Sequence, residues 1–254
     1  MKIFLSIFII INFLYANKTI KAVIPANFLP YYSVDKDGTV SGFAVDVLNE
    51  VAKNSNFKVE YIVKDSFSSA SDYLLEGKAD LIPNSGISKN RMKNSIFTTP
   101  MDTFNIKAFK RKVTTTISNL DDIKDKKIVI VKSNIGARLM KNHPSDLTTT
   151  VNSPEEAIFL LITGQVDVLV FPEIIINNLL KQLDLSDKVV SFGKPLKEIK
   201  RAIRVHKSQA NLAQKLDKEL RKFLKTKEYQ KIYTKWFKNN MYPPSLILYN
   251  LNLI

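Results

Sequence analysis

The stretch LLEGKADLIP (Leu74 to Pro83) has a counterpart in LITGQVDVLVFP (Leu161 to Pro172). In each, the end of an apolar helical pattern meets a Gly, two residues lead to an Asp, and an apolar run then ends at Pro. Gly at that point suits a left-handed helix C-cap, and a short continuous apolar run suits a strand buried on both faces of a parallel sheet. A chain that writes this helix-to-strand junction twice is expected to contain the same α/β unit twice.

Working outward, TIKAVIP (Thr19 to Pro25) is strand-like, and Ala44, Val47, Leu48, Val51 and Ala52 then recur at helical spacing before FKVEYIV returns to strand. A short helix from Ala70 to Glu76 and the ADLIP strand complete a βαβαβ unit within the first hundred residues. KIVIV (Lys127 to Val131) restarts the pattern, followed by a helix from Ile135 to Lys141 and a strand from Leu147 to Val151. The next helix opens at Ser153-Pro154-Glu155-Glu156, where a capping Ser, a first-turn Pro and a Glu three residues on predict a capping box. Two open parallel sheets with loops beyond the carboxyl ends of their strands can face each other across a cleft, which is where a ligand is expected. Beyond them, Leu212, Leu216, Leu220, Phe223 and Leu224 mark one face of an amphipathic terminal helix pair expected to pack on its own lobe.

Composition narrows the chemistry. The 254 residues contain no Cys and two His, which excludes disulfide frameworks, thiolate metal sites and Cys nucleophiles, and leaves little for a metal centre or a His-based triad. The net charge of +14 is spread among acidic neighbours without a compact basic run carrying aromatics, so nucleic acid is not expected as a partner. His143 and His206 read as surface residues, and Asp80 and Asp167, at strand starts, as structural. Lys2, the apolar stretch from Ile3 to Tyr15 and Ala16 before a polar Asn17 read as an export signal over residues 1–16, and so as a periplasmic protein.

LPYYSVDKDGTVSGFAVDVLNEVA, EGKADLIPNSGISKNR, IFTTPM and YQKIYTKWF resemble, in order and spacing, the bacterial family 3 extracellular solute-binding proteins, which include amino-acid receptors of ABC importers. The resemblance covers Thr19 to Phe237. It implies a type II periplasmic binding protein-like α/β fold, with two βαβαβ lobes joined by two crossover strands near Phe104 and Lys200 around a central cleft. The expected division is residues 17–104 plus 202–254 for the first lobe and 105–201 for the second.

The family commonly holds a ligand carboxylate with an Arg closing a Ser-or-Thr-x-x-Arg stretch, and SKNR places Ser88 and Arg91 there. A guanidinium is a planar two-pronged donor matched to carboxylate. The resemblance also implies Phe28 and Phe67 as walls around the ligand, Asn84 and Ser85 in the loop after the DLIP strand, and Ser133 and Asn134 in the equivalent loop of the second lobe. Where family members often clamp an α-ammonium with acids, this chain has Pro25 and Pro172, with Glu173 one residue beyond as a substitute candidate. Gly86 stands where a hydroxyl residue is common. These departures predict a ligand carboxylate for which an ammonium matters less.

The expected activity is therefore capture of a small polar or carboxylate solute, an amino acid or organic acid, by lobe closure for an ABC permease, by a monomer without cofactor, metal or catalysis. Similar sequences also form sensor modules of membrane kinases and cyclases, so a ligand-binding module with a membrane signalling partner is the alternative. The tail from 241 to 254 looks like such a junction but is too short in apolar residues for a span. A remote third option, a dehydratase on the same fold, would need an acid in the cleft, with Glu173 the candidate.

Overall fold

The computed structural model describes residues 18–132 and 134–237; the export segment 1–16, Ser133 and the tail from 241 to 254 lie outside the described residues. The chain opens with β1 (Lys18–Pro25), whose second half is fully buried. A small antiparallel sheet of β2 (Asn27–Phe28), β3 (Tyr32–Val34) and β4 (Val40–Ser41) follows. α1 (Phe43–Asn54) buries Phe43, Ala44, Val47, Leu48, Val51 and Ala52 along one stripe. It starts after Gly42, which has a φ of 135° and sits so close to β3 that a Cβ would lie 2.2 Å from the Tyr31 carbonyl oxygen, so no other residue fits.

β5 (Phe57–Lys64) leads to α2 (Phe67–Leu75), which Ser66 and Ser69 cap reciprocally. β6 (Leu81–Gly86), α3 (Lys89–Met92) and β7 (Ser95–Phe97) complete the first lobe's early part. β8 (Asp102–Arg111) then enters the second lobe, which contains β9 (Ile128–Val131), α4 (Ile135–Leu139), β10 (Thr148–Val151), α5 (Pro154–Ile162), β11 (Val168–Pro172) and α6 (Glu173–Gln182). β12 (Val189–His206) returns to the first lobe, where α7 (Ala210–Phe223) and α8 (Lys227–Phe237) pack against α1.

The nine-stranded sheet runs β10-β9-β11-β8-β12-β6-β1-β5, with β7 added beside β12. β5, β1 and β6 are mutually parallel, as are β10, β9 and β11. Between these two parallel sets lie β8 and β12, antiparallel to each other, with Phe104 opposite Ile199 and Thr103 opposite Lys200. The two crossover strands thus sit where the resemblance implied them.

The repeated Gly-x-x-Asp junction has a repeated structural cause. Asp80 Oδ2 accepts from the backbone N–H of Lys21 at 2.8 Å, while the Asp80 N–H donates to the Lys21 carbonyl. Asp167 Oδ2 accepts from the N–H of Lys127 at 3.1 Å, and its own N–H donates to the Lys127 carbonyl. Each Asp pins the residue before a later strand of its lobe to the lobe's opening strand, at the middle of β1 for Asp80 and just before β9 for Asp167. At α5, Ser153 Oγ accepts from Glu156 N as expected, but the Glu156 carboxylate accepts from Asn152 N, one residue earlier than a capping box requires.

Candidate functional site

The cleft between the lobes is built from three directions. The first lobe contributes Phe28, Phe67, Gly86, Ser88 and Arg91; the second contributes Asn134, Ile135 and Arg138; and the crossovers supply Phe104, Ile199 and Arg201 as a floor.

Arg91 is placed by the short α3. Ser88 caps that helix by accepting from the Arg91 N–H at 3.3 Å, and Arg91 Nη1 donates to the Gly86 carbonyl at 2.9 Å. The guanidinium carbon lies 5.4 Å from the centre of the Phe67 ring, a cation–π arrangement. Burial, with the positive charges of Arg204, Arg201 and Arg138, pushes the Arg91 pKa down to about 10. Its other guanidinium donors have no partner among the described residues. A carboxylate offered to them would gain two parallel charge-assisted hydrogen bonds and relieve that repulsion.

Arg201 is only 2 % exposed and is held in a cage of rings, 4.2 Å from Tyr31, 4.7 Å from Phe104 and 5.6 Å from Phe28. Its Nε donates to the Asn84 side-chain oxygen and its Nη2 to the Asn84 carbonyl. Asn84 Nδ2 in turn donates to Asp102 at 2.6 Å, and the other Asp102 oxygen lies 3.9 Å from Arg201 Nε. Burial raises the Asp102 pKa, against the opposing charge of Arg201 and the hydrogen bond from Asn84. The Tyr32 hydroxyl closes the network by donating to the Asn84 carbonyl and accepting its N–H; burial drives that phenol upward too.

Of the residues singled out in the sequence, Phe28, Phe67, Ser88, Arg91 and Asn134 meet in the cleft. Asn84 and Ser85 do not: both are fully buried. The expected loop is strand instead, because β6 continues to Gly86 by pairing Ser85 with Ala202 and Gly86 with Arg201. Asn84 reaches the site only through Arg201. Glu173 is also elsewhere. As the first residue of α6 it faces a neighbouring depression with Asn177 and Glu198, pairs with Lys107 at 3.4 Å and accepts from Ser191 Oγ. Ser133 lies outside the described residues. His143 and His206 bond to the Lys126 carbonyl and to Ser208, remote from the cleft. Arg138 and Arg201 were not anticipated. Arg138 follows the helix-capping Asn134 by four residues, a spacing that puts both on one helical face; no local pattern marks Arg201.

Residues 20–239 match the family described as bacterial extracellular solute-binding proteins, family 3. The chain belongs to this family. It is 26% identical over 231 residues to the putative ABC transporter arginine-binding protein 2 of Escherichia coli (strain K12), covering 87% of this chain and 92% of that protein. An ancestral arginine-binding protein bound to arginine superposes with a TM-score of 0.75 at 26% identity, covering 88% of this chain and 100% of that one. A histidine kinase sensor domain with similarity to periplasmic binding proteins has a TM-score of 0.79 at 20% identity, covering 88% and 97% respectively, and shares the fold. The family 3 architecture accounts for both the doubled parallel sheet and the cleft it encloses.

Proposed function

We propose that this family 3 protein captures a small carboxylate solute between its lobes and presents the closed form to an ABC importer. The observation that carries this reading is Arg91, whose free donors face a cleft with aromatic walls. Ligand contacted from both lobes favours the closed arrangement through its differential affinity for that state, and β8 with β12 are the strands about which the lobes would turn. The similarity to an ABC transporter binding protein supports the importer as partner. Family membership supports an extracellular site of action, with export by residues 1–16 to the periplasm, and the crossovers support lobes of 17–104 plus 202–254 and 105–201. We read the cleft as binding rather than catalytic, since Glu173, the acid a dehydratase would need, is paired with Lys107 outside it.

A second reading, a ligand-binding sensor module with a membrane signalling partner, is favoured by the likeness to a kinase sensor domain. Calorimetry and thermal shift with amino acids and their deaminated analogues test the shared step. A carboxylate at 100 times its dissociation constant should stabilise the protein by about 2.7 kcal/mol. If no carboxylate binds, the capture reading is wrong; if one binds and deletion of the gene leaves its uptake intact, the sensor reading replaces the importer.

A further inference from the structure

The charges in the cleft do not balance, and the imbalance says what the ligand carries. No Asp or Glu is among the residues lining the pocket around Arg91, whereas Arg91, Arg138 and Arg201 all are; the carboxylates between the lobes, Asp65 with Glu155 and Glu173 with Glu198, line adjoining depressions. Arg201 is accounted for by Asp102 and Asn84 behind it and by the rings around it. Arg91 and Arg138 form no ion pair among the described residues. They belong to opposite lobes, Arg91 to α3 and Arg138 to α4. Arg138 is fixed there because Gly136 lies against β11, where a Cβ would stand 2.6 Å from the Val170 carbonyl oxygen; α4 cannot shift outward without losing that packing. The pocket that both arginines line is otherwise mostly apolar, with Phe28, Phe67, Ile135 and Ile199 beside the polar Ser88 and Asn134.

We infer that the cleft selects a dicarboxylic acid with an apolar middle, one acid group held by Arg91 and the other by Arg138. The inference rests on the carboxylate-capture reading and deepens it. Two like charges on lobes that must approach oppose closure, increasingly so as water leaves the cleft. A monocarboxylate cancels one of them, whereas a dicarboxylate cancels both and draws the lobes together from either side. Burial chiefly, then repulsion from Arg204, Arg201 and, least, Arg138, already depresses the Arg91 pKa. An ammonium on the ligand would add a further positive charge to a pocket whose own lining offers no carboxylate to receive it, so glutarate should bind more tightly than glutamate.

Calorimetry at low and physiological salt with glutarate, adipate, butyrate, hexanoate, glutamate and a phosphomonoester decides the matter. The expected result is a preference of at least tenfold for a dicarboxylate over the monocarboxylate of equal length, weakened by salt. Arg138→Gln should collapse that preference toward unity while melting at the wild-type temperature, since Arg138 is exposed. If monocarboxylates bind as tightly as dicarboxylates, the inference fails and carboxylate capture stands. If the phosphomonoester binds best, one doubly charged group rather than two separated acids fills the site, and the inference is overturned. If none of the carboxylates binds, both readings fall together.

Discussion

Arg91 donates to the carbonyl of Gly86, the last residue of the strand that ends beneath it, and Gly86 leaves the space that this requires: a Cβ there would stand 3.4 Å from Arg91 Nη1 and 3.0 Å from a methyl of Ile199. The guanidinium is therefore oriented before any ligand arrives, which reduces the ordering cost of binding.

Replacing Arg91 by Ala should weaken carboxylate binding about ten- to a hundredfold, the equivalent of roughly 1.5 to 3 kcal/mol for a charge-assisted contact. Arg91→Lys should recover only part of that loss, because an ammonium is a point charge without the two-pronged geometry. Calorimetry reads the affinities and thermal melting checks the fold. Wild-type affinity in Arg91→Ala would remove this residue from the site.

Glu173→Gln should leave ligand affinity within about twofold, because the carboxylate is engaged with Lys107 and Ser191 beside a different depression. Titration of the variant with the best carboxylate from the screen measures this. A tenfold loss would bring Glu173 back as a ligand contact made only in the closed form.

Asp102→Ala should be among the most destabilising single changes. Asp102 is 1 % exposed and accepts from Asn84, and its removal leaves Arg201, equally buried, without a counter-charge. Breaking one side of such a buried pair costs about 3 to 5 kcal/mol. Urea unfolding should show the lowered midpoint, with ligand affinity falling in parallel because Arg201 floors the cleft.

Asp217 gives a prediction with a definite pH sign. Burial raises its pKa, but the Thr99 N–H, 2.5 Å from Oδ1, and Arg221 outweigh that and hold it below the ordinary 3.8. The folded protein thus binds fewer protons here than the unfolded chain as pH falls below about 4, so the stability Asp217 contributes is present above that pH and lost below it. Asp217→Asn should cost about 1.5 kcal/mol at pH 7, and the gap from wild type should narrow as urea midpoints are taken at pH 5, 4 and 3. A gap that stays constant down to pH 3 contradicts the assignment.

Much of the scaffold was legible because local signals agreed with tertiary ones. Gly77 and Gly164 mark helix ends, and the Asp80 and Asp167 clamps repeat with the same spacing. α6 was not legible: its cap is Pro172, without a side-chain hydrogen bond, and Ile174, Ile175 and Ile176 in succession look like a continuing strand. β12 hides its alternation behind an irregularity between Phe192 and Lys197. In the site, Arg91 carried a motif, whereas Arg201 depends on partners from β6 and β8 that are distant in sequence. Asn84 and Ser85 were misplaced because strand pairing with β12 outlasted the apolar run from which a strand end was expected.

Phe104 and Ile199 face each other across β8 and β12, and both line the cleft. A solute resting on them sits on the axle where the lobes join, and a pull applied at an axle has no lever arm. On the dicarboxylate proposal, the torque that swings the lobes shut comes from groups set off to either side, Arg91 on one and Arg138 on the other. In that proposal the floor would govern how long a solute stays, while the arginines at the jaws would govern whether its arrival is felt as movement.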